Sequence, residues 1–339
     1  MTELSDVMFQ IRKRQRIKER PANELSAFWT SEDLLDGKPT KCYTMIFQTR
    51  GCYWGQRGGC TMCGYVYDSA IESPTDENIL AQYRSVENRI DGGIVKIFTS
   101  GSFFDAREIS EAVRDEILSS LSKKVSKVIV ETRPEFVTDK TMEAARSFID
   151  KFEVAIGLET SNDTIREKCI NKHFTFGDFV RASEVAKAHG VTTKAYLLLK
   201  PPFLTEKDAM EDIVKSVLDA APYAGTISIN ICNVQRGTLV DELFMKHAYR
   251  PPWLWSIVEV LKRVHGKTGS MIMSDPLAAG AARGPHNCGT CDGDFADALR
   301  KYSLTQDISA FNNLKCDCRV LWEKTLELED WTFGAPLIY

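Results

Sequence analysis

Residues 49–68 read TRGCYWGQRGGCTMCGYVYD and hold three cysteines, Cys52, Cys60 and Cys63, spaced C-x7-C-x2-C. Five glycines (Gly51, Gly55, Gly58, Gly59, Gly64) lie among them. A strand is predicted just before this loop, from Cys42 to Gln48, and a helix after it from about Asp76. An odd number of thiols on one loop argues against a disulfide framework. Three is also one fewer than a closed zinc site or an ordinary iron–sulfur cluster takes. A [4Fe–4S] cluster held by three cysteines leaves one iron open to a small-molecule ligand. The plainer alternative is three buried, unligated thiols.

The rest of the chain narrows that choice. It has 339 residues, 43% of them hydrophobic and 27% charged, the balance of a soluble globular protein of one large domain with an appendage or two ordinary ones. No apolar run approaches the about 18 residues of a membrane span, and the polar, basic N-terminus has no signal-peptide core, so a cytoplasmic location without membrane contact is expected. Ten cysteines in such a chain point to metal chemistry in a reducing compartment. The net charge of −4 is unsuited to gripping nucleic acid over the whole surface; any RNA contact needs a local basic patch or a partner.

Residues 11–20, IRKRQRIKER, carry six basic side chains and one acid. They read either as a solvated arm or as a contact for phosphates or an acidic partner. From Lys41 onward strands and helices alternate. Strands are predicted at 43–48, 94–99, 127–131, 153–158, 193–199 and 226–231, with helices near 76–90, 105–121, 138–150, 162–170, 176–189 and 206–220. Nearly continuous apolar runs such as IVKIF, KVIVE and AYLLL suit strands buried on both faces. Such alternation implies an α/β fold with a parallel sheet, either an open barrel or a doubly wound sheet. Functional groups then belong at the carboxyl ends of the strands. Those ends hold the cysteine loop, Ser100-Gly101-Ser102, Glu131-Thr132-Arg133, Gly157-Leu158-Glu159-Thr160, Lys200-Pro201-Pro202 and Asn230-Ile231-Cys232-Asn233. The prolines of Lys200-Pro201-Pro202 stiffen a strand-end loop that is expected to face the cleft, or serve as a turn alone.

The expected organisation is a basic arm over 1–40, a partial barrel over 41–240 and an extension over 241–339. The extension has a helix near 253–266 and two close cysteine pairs, Cys288/Cys291 and Cys316/Cys318. That pattern predicts a four-cysteine zinc site, with an auxiliary iron–sulfur cluster as the alternative and His286 as a substitute ligand. Cys42, Cys169 and Cys232 have no partner spacing and read as buried and inert.

These features together resemble the radical S-adenosylmethionine (radical SAM) superfamily, whose partial (β/α)6 barrel carries the cluster loop after its first strand. The resemblance covers about residues 40–235. Two departures stand out: the first cysteine gap is longer than the usual C-x3-C, and Met62 occupies the position of an aromatic residue. The resemblance implies a [4Fe–4S] cluster on Cys52, Cys60 and Cys63, with SAM on its open iron. It places Gly101 and Ser102 near the methionine amino end, Glu131 on the methionine side and Glu159 at the ribose. Lys172 would pair the SAM carboxylate, with Arg166 as the competing cation and expected to be exposed.

The segments TSGSFFD, ETRPEFVTD, GLETSND, LLLKPPFLTE and NVQRGTLV further resemble a family of radical SAM subunits that act on archaeal transfer RNA. That resemblance implies tRNA as partner, and a lysine-bearing 7-deazaguanine at tRNA position 15 as the reacting nucleotide. It also implies a second subunit that attaches the lysine, and a C–N bond cleavage. Other radical SAM reactions on RNA, such as acetyl or methylthio transfer, and a non-catalytic zinc-dependent binding module are the rival readings.

Overall fold

The computed structural model describes residues 3–15, 20–70, 72–332 and 335–337. Helix α1 (Glu3–Lys13) precedes a hairpin of strands β1 (Ala27–Leu35) and β2 (Lys38–Ile46). The hairpin turns on Asp36 and Gly37, both at positive φ, which suits a two-residue connection. The alternation then runs α2 (Asp76–Glu87), β3 (Ile94–Phe98), α3 (Glu111–Ser122), β4 (Lys127–Glu131), α4 (Asp139–Phe148), β5 (Phe152–Glu159). It continues through α5 (Asp163–Ile165) with a wide turn over Arg166–Ile170, then α6 (Phe176–Ala188), β6 (Thr192–Leu199), α7 (Glu206–Ala220) and β7 (Thr226–Ile231). Helices α8 (Leu239–Met245) and α9 (Leu254–Val264) lead to β8 (Met271–Met273), α10 (Asp292–Thr305) and α11 (Arg319–Leu328).

The eight strands form one sheet in sequential order, parallel from β2 to β8 with β1 antiparallel at one edge. Strands β2 to β7 are the six that the sequence predicts, and they make the expected partial barrel. The boundaries of 41–240 need correction at both ends. Strand β1 lies inside the supposed arm, and β8 lies inside the supposed extension. Strand β1, AFWTSEDLL, is exposed along its middle from Trp29 to Glu32, so it lacks the apolar run that marks the other strands. The hairpin register recruits it.

Helix starts follow local chemistry. Thr75, Ser110, Thr138, Thr175, Thr205 and Thr238 each accept a backbone N–H in the first turn of α2, α3, α4, α6, α7 and α8. Each such cap contributes about 1 kcal/mol and ends the preceding loop at a defined residue. One face of the strands, including Met45, Ile97, Val130, Ile156, Leu197 and Ile229, packs on these helices in the main core. The other face lines the inside of the curled sheet, where Cys42, Ile94, Ile129 and Ala155 meet.

That inside is more polar than the apolar strands suggest. Asp33 of β1 pairs with Lys96 of β3 at 2.6 Å, and Lys127 pairs with Glu153 at 2.6 Å. Lys96 and Lys194 act on Asp33 from β3 and β6, and hold its carboxyl below the usual range against the opposing effect of burial. Charges on β1, β3 and β6 meet in one space because the sheet curls.

A second buried network joins the barrel to the C-terminal segment. Lys200, at positive φ after β6, lies 2.7 Å from Glu206 and 3.8 Å from Glu329. Glu206 also accepts from the Trp253 backbone (2.8 Å) and the Ser256 hydroxyl (2.6 Å). The three ionic side chains are almost wholly buried. Lys200 therefore faces the extension, and the sequence expectation that it faces the cleft is not met. Replacing it with methionine would strand two carboxylates in a dry interface. Lys200→Met is expected to cost about 3 kcal/mol in denaturant unfolding; a cost under about 1 kcal/mol would show that water reaches the pair.

Candidate functional site

The cysteine loop lies across the carboxyl ends of the barrel strands and is held from two sides. From the segment after α5, the Ile170 carbonyl accepts the Thr61 N–H (2.9 Å), and the Cys169 carbonyl accepts the Thr61 hydroxyl (2.7 Å). Asn171, left-handed at φ 59°, donates to the Gly59 carbonyl (2.8 Å) and accepts from the Trp54 indole on its own carbonyl (2.7 Å). Trp54 stacks on His173 with ring centroids 4.8 Å apart. From the other side comes α1, whose Arg12 donates to the carbonyls of Gly55, Cys60 and Cys63. Gln235, after β7, accepts the Gly64 N–H at 2.5 Å.

The three thiols share one electrostatic environment. Burial pushes Cys60 up to about 12, with Lys172 opposing and Cys63 and Cys52 adding to the rise. Burial likewise raises Cys63, with Arg12 opposing. Three half-buried cysteines under two cations are a donor set that suits a cationic iron–sulfur core, since thiolates need compensating charge where water is scarce. Among the described residues the one group of His, Cys, Asp and Glu atoms packed tightly enough to share a single ion lies elsewhere, at Cys288, Cys291, Cys316 and Cys318.

Around the loop the structure gathers the strand-end residues. Glu159 sits at positive φ (66°) beside a register shift in β5, and its carboxylate lies 2.6 Å from the Lys172 ammonium. A side chain at Gly157 would reach within 2.5 Å of that ammonium, so the glycine makes room for the pair. Burial works against the charge on Lys172, but Glu159 and Cys60 outweigh it and raise its pKa. The two residues expected to serve separate groups of SAM thus serve each other here. Glu131 projects into the same space. Burial pushes its carboxyl up to about 7, with Glu159 adding and Lys172 opposing.

Ser102 keeps its N–H on Glu108 (2.7 Å), and its hydroxyl accepts the Arg133 N–H (3.0 Å). Glu108 is the functional residue that sequence reasoning missed. It also accepts from the Thr49 hydroxyl at 2.8 Å, and so bolts the start of the cysteine loop to the Ser100-Gly101-Ser102 turn. A side chain on Gly101 would overlap this carboxylate and press on Cys52, which explains the glycine. The available signal was an acid soon after a glycine turn, seven residues beyond Gly101.

Burial pushes Glu108 from the ordinary 4.5 up to about 7, so the fold prefers its neutral form. Stability from such a group is complete below pH about 4.5 and lost as pH rises through about 7. Glu108→Gln keeps the acceptor without the titration. From pH 4.5 to 8 the unfolding free energy of the variant is expected to gain about 3 kcal/mol relative to the parent. Parallel pH curves would contradict this.

Other candidates resolve as structural. Arg166 is buried, not exposed as expected, and donates to the carbonyls of Leu158 and Thr160 and to Asp163. Arg133 is held by Glu135 (2.6 Å) and the His173 carbonyl (2.9 Å). Cys42, Cys169 and Cys232 are buried, as expected. Of the basic run, Arg12 turns to the cysteine loop and Arg20 pairs with Asp68 (3.1 Å); residues 16–19 lie outside the described residues.

In the extension the sulfur of Cys288 stands 3.9 Å from that of Cys291 and 3.6 Å from that of Cys316, and the sulfur of Cys291 stands 3.8 Å from that of Cys318. Four thiolates at about 2.3 Å from one tetrahedral ion would be about 3.8 Å apart. The Trp255 indole donates to Cys318 (3.3 Å) and the Asn287 amide to Cys291 (3.4 Å). The Thr290 backbone N–H lowers Cys288 to about 6. His286 bonds the Gly284 carbonyl instead and is not one of the four.

The chain matches the Radical SAM superfamily over residues 46–215. A half-barrel with a three-cysteine loop at its carboxyl rim is the arrangement this match leads one to look for, and the chain belongs to that superfamily. It is a radical SAM enzyme. It is 51% identical to archaeosine synthase subunit beta of Methanosarcina acetivorans, over 99% of each chain. It is 44% identical to archaeosine synthase subunit beta of Thermococcus kodakarensis, over 90% of this chain and 98% of that one. Among solved structures, methylornithine synthase (PylB) shares the fold with TM-score 0.50 at 14% identity, over 79% of this chain and 69% of that one.

Proposed function

We propose that this protein is the radical SAM subunit of an archaeosine-forming enzyme, acting on transfer RNA. The reaction is cleavage of a C–N bond in a lysine-bearing 7-deazaguanine at tRNA position 15. The lysine carbon next to the bridging nitrogen gives up a hydrogen atom to the SAM-derived radical and one electron to the oxidised cluster; water then hydrolyses the resulting C=N bond, leaving the formamidine of archaeosine and releasing the lysine carbons as an aldehyde. A partner subunit attaches the lysine beforehand and supplies much of the RNA grip, which a chain of net charge −4 is poorly fitted to supply alone. The observation that carries the reading is a match to an archaeosine synthase beta subunit along 99% of the chain, with the three-cysteine loop set at the carboxyl rim of the barrel.

Cys52, Cys60 and Cys63 hold the cluster, and Lys172 and Arg12 compensate its charge. When bound, the cluster and SAM supply one-electron cleavage of a carbon–sulfur bond and thereby a carbon radical able to take a hydrogen atom. The protein binds, orients and keeps water out. In this reading Lys172 meets the SAM carboxylate and Glu159 the ribose, exchanging their mutual contact for one with the ligand. Glu131, titrating at about 7, is positioned to accept from the amino group. Gly101 lets the turn approach closely, with Glu108 and Ser102 bracing it. Cys288, Cys291, Cys316 and Cys318 hold a structural zinc ion, because their separations fit one tetrahedral ion. No helix among the described residues is long and apolar enough to cross a membrane.

The test is 5′-deoxyadenosine formation by the anaerobically reconstituted, reduced protein, with and without lysine-bearing tRNA. Product that depends on that tRNA supports the reading. Product independent of it keeps the superfamily chemistry and discards this substrate in favour of another RNA modification.

A further inference from the structure

The first cysteine gap holds seven residues where the superfamily commonly has three, and those extra residues have a job in this chain. They form a short turn, Gly55–Arg57, followed by Gly58 and Gly59 at positive φ, and this turn receives α1. A side chain at Gly58 would strike the Ser5 backbone at 2.5 Å. One at Gly59 would lie 2.5 and 2.8 Å from the two terminal nitrogens of Arg12. The glycines therefore open a socket, and the guanidinium fills it. Within the socket Arg12 donates to the Gly55 carbonyl, to that of Cys63 (3.0 Å) and, more weakly, to that of Cys60 (3.4 Å). Its Nε is buried with no acceptor of its own. A planar guanidinium can bridge several carbonyls that a single ammonium cannot.

We infer that Arg12 is a positioning residue for the iron–sulfur cluster: it clamps the backbone of two cluster cysteines from outside the barrel and keeps a positive charge beside them. The inference rests on assigning Cys52, Cys60 and Cys63 to the cluster, which the iron content and spectrum of the parent protein test separately. A fixed positive charge near a cluster favours its reduced, more negative state, and backbone held in place limits loss of iron. The basic N-terminal run thus contributes at least one residue to cofactor chemistry, whatever its outer side chains meet.

The experiment compares parent, Arg12→Gln and Arg12→Lys as full-length, reconstituted proteins. The readouts are the cluster's midpoint potential by electron paramagnetic resonance, the rate of iron release to a chelator, and the metal content of the C-terminal cysteine site as a check on folding. In Arg12→Gln the reduced-to-oxidised ratio at a fixed potential is expected to fall about threefold, which is about 28 mV at 59 mV per decade. Iron release should quicken severalfold while the C-terminal metal stays. Arg12→Lys should keep the potential near that of the parent, because the charge remains, yet release iron faster, because the carbonyl clamp is thinner. Loss of the cluster from Arg12→Gln with the C-terminal metal retained also supports the clamp. Parent-like potential and iron release in Arg12→Gln overturn the proposal. Should Arg12→Gln lose both metals, Arg12→Lys decides: faster iron release upholds the clamp, and parent-like release overturns it.

Discussion

Cys60→Ala is expected to reduce 5′-deoxyadenosine formation by at least about a thousandfold, or about 4 kcal/mol of barrier. The geometry explains why this cysteine should be so unforgiving. Its thiol is buried, pushed up to about 12, and stands against Lys172, which is itself paired with Glu159. No nearby carboxylate is free to replace it, since Glu159 is engaged and Glu131 is at the edge of titration. Two remaining thiolates cannot retain the cluster and its open iron together. The measurements are iron and sulfide content, then product formation with SAM. The C-terminal site should keep its metal, because it shares no ligand with the loop. A Cys60→Ala protein with full iron and measurable turnover would remove this residue from the ligand set.

Cys291→Ser is expected to empty the C-terminal site and to destabilise that part of the chain by about 5 kcal/mol or more, with a fall of about 10 °C or more in its melting transition. Structural zinc contributes more than that to isolated small domains. The discount applies because the extension has apolar support of its own: Trp255, Phe295 and Trp322 pack beside the sulfurs. Cys291 is nonetheless one of two buried members, the one that the Asn287 amide and two neighbouring thiols converge on. Serine offers no thiolate and leaves the other three sulfurs crowded without a cation. Elemental analysis of the parent should give one zinc per chain in addition to the iron of the first site. Additional iron in place of zinc would establish an auxiliary cluster instead. Loss of the ion should also loosen Glu329 from Lys200, and would be visible as faster amide exchange around α11.

Much of this arrangement was legible in the chain alone, for identifiable reasons. The parallel strands β3 to β7 announce themselves because one face must be apolar to cover the helices. Threonine and serine caps mark where most of those helices start. The two cysteine sets were visible because metal ligation imposes short spacings. Strand β1 was not visible, because an edge strand exposed along its middle carries no apolar pattern. Nor was Arg12: a basic residue in a basic run looks solvated until a socket is built for it from the other side of a loop. Lys200 was misplaced for a similar reason. Its neighbours Pro201 and Pro202 predict a turn, but the partner Glu329 is far along the chain.

Local sequence therefore determined the repeating strand–helix units, their order, and which residues stand at the carboxyl rim, because backbone propensity and side-chain period are short-range. It also marked two sets of cysteines as candidate ligands. Tertiary structure alone decided who pairs with whom: Lys172 with Glu159, Arg166 with the end of β5, Glu108 with both the cysteine loop and the glycine turn, Arg12 with two of the three cysteines. These are contacts of charged side chains, some across a single loop and others between segments far apart in the chain. Their energies depend on burial and on distances near 3 Å, which no linear pattern of residues records.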